Sequence, residues 1–211
     1  MDSDADDFLQ GLKAVGITPA RLKAILLTHW HNDHSAGAAF LKREFGVRVY
    51  YHPGDQACMT RQTATRGIRG WLGKHVPEAG VLVLLRGLLE EAAPEAVTAD
   101  LLLSDRDVVE GHFRVLATPG HTGGHVAYLH QPTKILFCGD ALAVVANKIR
   151  MMARPVTPDL QAARISALRC LCEQAEIICP GHRAPLVENV REECQRLQQY
   201  LENGGPWPLL G

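Results

Sequence analysis

A run of apolar residues, Ala24-Ile25-Leu26-Leu27-Thr28, ends abruptly in polar side chains. Unbroken apolarity over that length suits a buried strand better than a half-exposed one. Ahead of it, residues 6–15 read as a short helix followed by the turn Gly16-Ile17-Thr18-Pro19. After it, Ser35 to Phe45 looks helical and Val47-Arg48-Val49-Tyr50-Tyr51 alternates as a strand. Residues 54–99 break this rhythm. They hold Trp71, several glycines and the stretch Val81–Glu91, apolar at first and acidic at its end, and predict a mainly helical insertion. From 100 onward strands dominate: Phe113–Ala117, His125–His130 and Lys134–Cys138, the last two joined by Gln131-Pro132-Thr133. Thr157-Pro158-Asp159 reads as a helix start with Thr157 as N-cap, the helix running to about Ala175 before the strand Glu176–Cys179. Leu186, Val190, Cys194, Leu197 and Leu201 mark a final amphipathic helix. Strands interleaved with helices predict an α/β layered fold, with residues 1–211 as one domain.

Composition excludes several classes. An apolar fraction of 46% and a charged fraction of 21% leave no case for disorder. The net charge of −1, with both signs scattered, carries no footprint for nucleic acid or an anionic membrane. The longest apolar run, Val81 to Leu85, is too short to span a bilayer, and the acidic opening (Asp2, Asp4, Asp6, Asp7) is unlike a secretory leader. A cytoplasmic protein with a small-molecule substrate is expected. The six cysteines form no CxxC pair and read as buried, reduced thiols.

The chemistry concentrates at four strand ends. The first carries Thr28-His29-Trp30-His31-Asn32-Asp33-His34. Three imidazoles and a carboxylate within six residues cannot all be satisfied on one buried strand, whereas a loop leaving the strand can aim them at metal. The second is Thr118-Pro119-Gly120-His121-Thr122-Gly123-Gly124-His125, the third Cys138-Gly139-Asp140, the fourth Cys179-Pro180-Gly181-His182. A lone His or Asp after a strand is usually a turn residue. Four such places in one chain form a constellation, because strand C-terminal ends of α/β sheets are where sites gather.

HWHNDH, PGHTGGH, GD and PGH together, in this order, resemble the metallo-β-lactamase superfamily over about residues 24–190. The resemblance implies an αββα sandwich. It implies that His29, His31 and His121 bind one metal, that Asp33, His34 and His182 bind a second, and that Asp140 bridges them. Two divalent ions, zinc by default with iron or manganese as alternatives, would sit about 3.5–4 Å apart and share a water ionised near neutral pH. That hydroxide would attack a carbonyl, with Asp33 orienting it and shuttling its proton. His125 is not a ligand in the family pattern and reads as a supporting or packing residue. His52, before Pro53-Gly54-Asp55, is a weaker candidate for substrate contact. His75, His112 and His130 read as surface or turn residues.

A bridging Asp140, as the resemblance implies, is unlike true class B β-lactamases and looks like the glyoxalase-II, lactonase and esterase-like branches, which implies a small ester, lactone or thioester as substrate. Two other classes compete: a mononuclear iron oxidoreductase like the persulfide dioxygenases, and an N-terminally truncated metal-binding protein without activity. The second is motivated by the 28 residues before His29, which look too few for the family's opening strands. Three outcomes are open for the resulting gap: a homo-oligomer that covers it, which is favoured, residues 1–20 lying across it, or a marginally stable fragment of a longer chain. The insertion at 54–99 is expected to cover the mouth of the site.

Overall fold

The computed structural model describes residues 5–61 and 95–209. Most of the expected helical insertion, with Trp71 and His75, therefore lies outside the described residues. Two compact units are distinguishable: Met1–Ile25, Trp30–Val49 and Ala57–Thr98 make the first, and Leu26–His29, Tyr50–Gln56 and Ala99–Gly211 the second.

In the first unit, helix α1 (Asp6–Ala14) precedes strand β1 (Ala24–Leu26), which begins in this unit. The helix expected over 35–45 is divided into a single turn, α2 (Asn32–Ser35), and α3 (Ala38–Phe45). The break is Gly37, at φ 83° against the Cβ of Ala5, a backbone state that interrupts a helix. Ala5, Leu41 and Val47 form a small buried cluster here, with Leu9, Leu22, Ile25 and Phe40 packed on it. Strand β2 (Arg48–Tyr51) starts in this unit, and α4 (Gln56–Met59) ends in it.

The second unit holds most of the strands. The end of β2 pairs in parallel with β3 (Leu101–Leu102), Tyr50 opposite Leu101. A five-stranded sheet has the order β10-β7-β6-β5-β4, made of β4 (Val108–Val109), β5 (Phe113–Ala117), β6 (Val126–His130), β7 (Ile135–Gly139) and β10 (Ile177–Pro180). Strand β6 is antiparallel to both β5 and β7, and β10 is parallel to β7. Hence β5, β7 and β10 all point the same way, and their C-terminal ends lie along one edge of the sheet. Leu116, Leu129, Leu136 and Cys138 share a buried core with Ala167, Cys170 and Leu171 of helix α5 (Leu160–Leu171) and Cys194, Leu197 and Leu201 of α6 (Val190–Glu202). This burial stabilises the packing of α5 and α6 on the sheet by about 25 cal/mol per Å² of apolar area.

Further details of the second unit depart from the sequence expectations, among them the end of α5 at Leu171 rather than near Ala175. Helix α5 starts later, with Asp159 rather than Thr157 as N-cap. The Asp159 carboxylate accepts from the Ala162 N–H, while the Thr157 hydroxyl turns back to the Ala153 carbonyl. Leu186 precedes α6 instead of joining it, forming a bridge with Ile178. An additional hairpin, β8 (Ala143–Val145) with β9 (Lys148–Arg150), turns through Ala146 and Asn147, both at positive φ. No helix among the described residues is long and apolar enough to cross a membrane.

Candidate metal centre

The shared edge of β5, β7 and β10 delivers His121, Asp140 and His182 to one place. Asp140 Oδ2 lies 3.4 Å from His121 Nε2 and 3.5 Å from His182 Nε2. Asp140 and His121 are buried, and His182 is half exposed. His29, 1% exposed, brings its ring edge-on to His121 at 4.7 Å between centroids, and their ligand atoms lie within 4.8 Å.

The loop carrying His121 is braced by the start of α5. The Ser166 hydroxyl donates to the Pro119 carbonyl at 2.7 Å, and the Asp159 N–H donates to the Gly120 carbonyl at 3.1 Å. His121 Nδ1 lies 2.6 Å from the Val156 carbonyl. A carbonyl only accepts, so Nδ1 carries the hydrogen, and in the neutral ring Nε2 presents a lone pair to Asp140. A lone pair facing a carboxylate oxygen is repulsive unless a metal ion or a proton lies between them. The donor set of imidazole nitrogens around a carboxylate therefore fits a divalent metal.

His125 has a different task. Its Nε2 accepts from the Asp140 N–H at 3.0 Å, which leaves Nδ1 to donate to the Thr118 hydroxyl at 2.7 Å. With both nitrogens engaged, this 1%-exposed ring ties the exit of β5 to the exit of β7. Such a bond fixes where the Asp140 carboxylate begins.

In the first unit, the single turn α2 shapes the other part of the histidine motif. His31 caps it, its carbonyl accepting from the N–H groups of His34 and Ser35, and the Ser35 hydroxyl donates to the carbonyls of Trp30 and His31. Asp33 Oδ2 and His34 Nε2 are 3.7 Å apart, with Asp33 half exposed and His34 largely buried. Trp30 stacks edge-on against His31, the ring centroids 4.5 Å apart.

His52 is occupied locally, its Nδ1 accepting from the Gly54 N–H at 3.1 Å. His112 is exposed in a turn, and His130 ends β6 with Nδ1 2.6 Å from the Thr133 hydroxyl. The residue that sequence reasoning missed is Asp55. Its buried carboxylate accepts from the Thr122 hydroxyl at 2.8 Å and the Gly124 N–H at 2.7 Å, on either side of Gly123 in the His121 loop. Nothing in a His-Pro-Gly-Asp turn distinguishes a buried acid from an ordinary turn residue; only the long-range partners do.

The model of the metallo-beta-lactamase superfamily matches residues 1–182. The chain belongs to this superfamily. Among its relatives is a hydroxyacylglutathione hydrolase from Acidiphilium cryptum, 31% identical over 183 residues, 87% of this chain and 59% of that protein. The chain thus spans about three fifths of that relative's length. Among solved structures, the metallo-beta-lactamase family protein TTHA1429 from Thermus thermophilus aligns over 93% of this chain and 66% of its own, at 26% identity and a TM-score of 0.62. TTHA1623, solved in a di-iron-bound form, aligns over 85% of this chain and 78% of its own, at 25% identity and a TM-score of 0.60. The mixed α/β architecture is that of the metallo-beta-lactamase fold. In that frame, the His/Asp groups at the sheet edge and around α2 are candidate metal ligands.

Proposed function

We propose that the chain is a binuclear metal-dependent hydrolase acting on the carbonyl of a small ester, lactone or thioester. The observation that carries this reading is Asp140, a buried carboxylate with an imidazole Nε2 3.4 Å away on His121 and another 3.5 Å away on His182. In the proposal His29, His31 and His121 hold one ion, Asp33, His34 and His182 hold the other, and Asp140 bridges. The relative named for hydrolysing hydroxyacylglutathione supports an acyl substrate.

When bound, the ions would supply Lewis acidity and lower the pKa of a coordinated water towards neutrality. The protein's own groups do the rest. Val156 holds the His121 hydrogen on Nδ1, which turns the Nε2 lone pair toward Asp140, and His125 holds the Asp140 backbone. Asp33, half exposed, takes up and releases the proton at its carboxylate oxygen.

Metal analysis of protein purified without chelator, paired with a screen of lactones, thioesters and esters, tests the reading. Two ions per chain with turnover are expected, and Asp140→Ala should lose at least part of the metal. One iron per chain with oxygen consumption on a persulfide would replace the hydrolase by an oxygenase. Wild-type occupancy in Asp140→Ala would remove the bridge.

A further inference from the structure

We propose that Asp55 is a positioning residue that sets the His121 ligand loop for metal through Thr122 and Gly124. This inference rests on the metal-centre reading and adds a residue to it from outside the histidine motifs.

Asp55 follows β2 in a tight turn, its N–H donating to the His52 carbonyl at 3.1 Å. Asp55 is 2% exposed, and its carboxylate is met by a hydroxyl at 2.8 Å and a peptide N–H at 2.7 Å from the loop 118–125. A buried carboxylate loses its hydration, so it is kept only where hydrogen bonds replace it. Charge-assisted bonds of this kind are stronger and more directional than neutral ones.

The two segments also meet backbone to backbone. A Cβ at Gly54 would fall 2.8 Å from the Gly124 Cα, and one at Gly124 would fall 2.3 Å from the Asp55 nitrogen. Glycine at both positions lets the carboxylate come close enough to accept from Thr122 and Gly124 together. On its other side the same loop is braced by Ser166, Asp159 and Val156 through Pro119, Gly120 and His121. His121 lies between these two sets of contacts. Removing the Asp55 side frees the loop to pivot about its α5 contacts, and Nε2 moves with it.

The test uses cobalt(II) as the probe, comparing chelator-competition affinities and visible absorption spectra, with melting temperatures of the metal-free proteins alongside. Asp55→Ala is expected to weaken cobalt binding about 10- to 100-fold and to change the spectrum. Asp55→Asn should restore most of the affinity, because its amide oxygen still accepts from Gly124 and its NH₂ can donate to the Thr122 hydroxyl. Should Asp55→Ala not fold, Thr122→Val removes one of the two bonds with little change of shape and should still alter the spectrum. A lowered melting temperature with wild-type affinity and spectrum would make Asp55 a stability residue and overturn the proposal. Wild-type protein that binds no cobalt would sink the metal-centre reading and the positioning role with it. Wild-type binding with unchanged variants would sink the positioning role alone.

Discussion

The peptide N–H of Asp140 donates to Nε2 of His125 across 3.0 Å, and this bond decides which tautomer the ring adopts. The opposite nitrogen then serves Thr118, so one buried imidazole links two strand exits. His125→Ala would leave a buried N–H and a buried hydroxyl without this partner, a cost of about 1–3 kcal/mol each at most. The variant should keep its metal but bind it about 10- to 100-fold more weakly, with hydrolysis reduced rather than abolished. His31→Ala removes a proposed ligand and should abolish activity together with metal. Metal content and urea unfolding of both variants check this: equal metal loss would place His125 among the ligands.

The thiols differ sharply in exposure. Cys138, Cys170 and Cys194 are buried, Cys58 and Cys179 are half-buried and Cys172 is exposed, so the expected buried, reduced thiols describe part of the set. Burial pushes the Cys170 thiol up to about 12, with the Glu173 carboxylate adding to the effect. A rise of that size leaves on the order of a thousandfold less thiolate at neutral pH than an ordinary thiol has. In native protein, brief iodoacetamide treatment should therefore label Cys172 and leave Cys170, two residues earlier on α5, unmodified until denaturant is added. Peptide mass mapping reads the outcome, and equal labelling of the two would mean α5 is not packed on the sheet as described.

Much of this architecture was legible in local sequence. Apolar strands that stop at metal-competent residues are a local signal, and β5 has the expected bounds Phe113–Ala117; α1 begins at Asp6, where the helix over 6–15 was expected. What stayed hidden depends on partners distant in the chain. The choice between Thr157 and Asp159 as N-cap depends on where the Ala153 carbonyl lies, because it captures the threonine hydroxyl. Leu186 fits the spacing of α6, yet its backbone pairs with Ile178. The β8–β9 hairpin turns on Ala146 and Asn147 without the glycine that usually announces such a turn. For the candidate site, the motifs named the His and Asp residues, whereas Asp55 is visible only through Thr122 and Gly124.

Acid should act partly through Asp105. Burial alone would raise its pKa, but hydrogen bonds from Arg169 and the Ala117 N–H, with the Arg169 and Arg106 charges, outweigh it and hold the carboxyl below its ordinary value. A depressed folded pKa means the unfolded chain takes the proton first. The stabilisation is therefore complete above the ordinary aspartate value of about 3.9 and is lost as pH falls through the lower, folded value. Asp105→Asn should flatten the dependence of stability on pH below about 4. Because the pair is partly exposed, it should cost less than about 1 kcal/mol at neutral pH. Urea midpoints across the acid range check this, and parallel curves for wild type and variant would disconnect Asp105 from acid unfolding.

The strictest steric prediction concerns Gly120, the residue before His121. Its φ of 138° is one that L side chains rarely adopt, and a Cβ there would lie 2.5 Å from the Ala163 nitrogen and 2.6 Å from its Cα. Those are backbone atoms in the first turns of α5, where the Ala163 N–H already donates to the Asp159 carbonyl at 3.0 Å. No side chain can swing aside to make room, so the loop itself must lift off the helix. Backbone strain of about 1–3 kcal/mol then adds to an overpacking cost of about 1–3 kcal/mol. Lifting the loop would also stretch the Asp159–Gly120 bond and the contact of His121 with Val156, so metal binding should weaken in the same variant. Gly204→Ala provides the control, since Gly204 has a φ of 73° but nothing within 4 Å of an added Cβ. It should show only the backbone part, about 1–2 kcal/mol, with unchanged metal affinity. Denaturant unfolding and chelator competition on the two variants separate strain from collision. Equal destabilisation, with metal binding intact in Gly120→Ala, would mean that α5 does not brace the ligand loop.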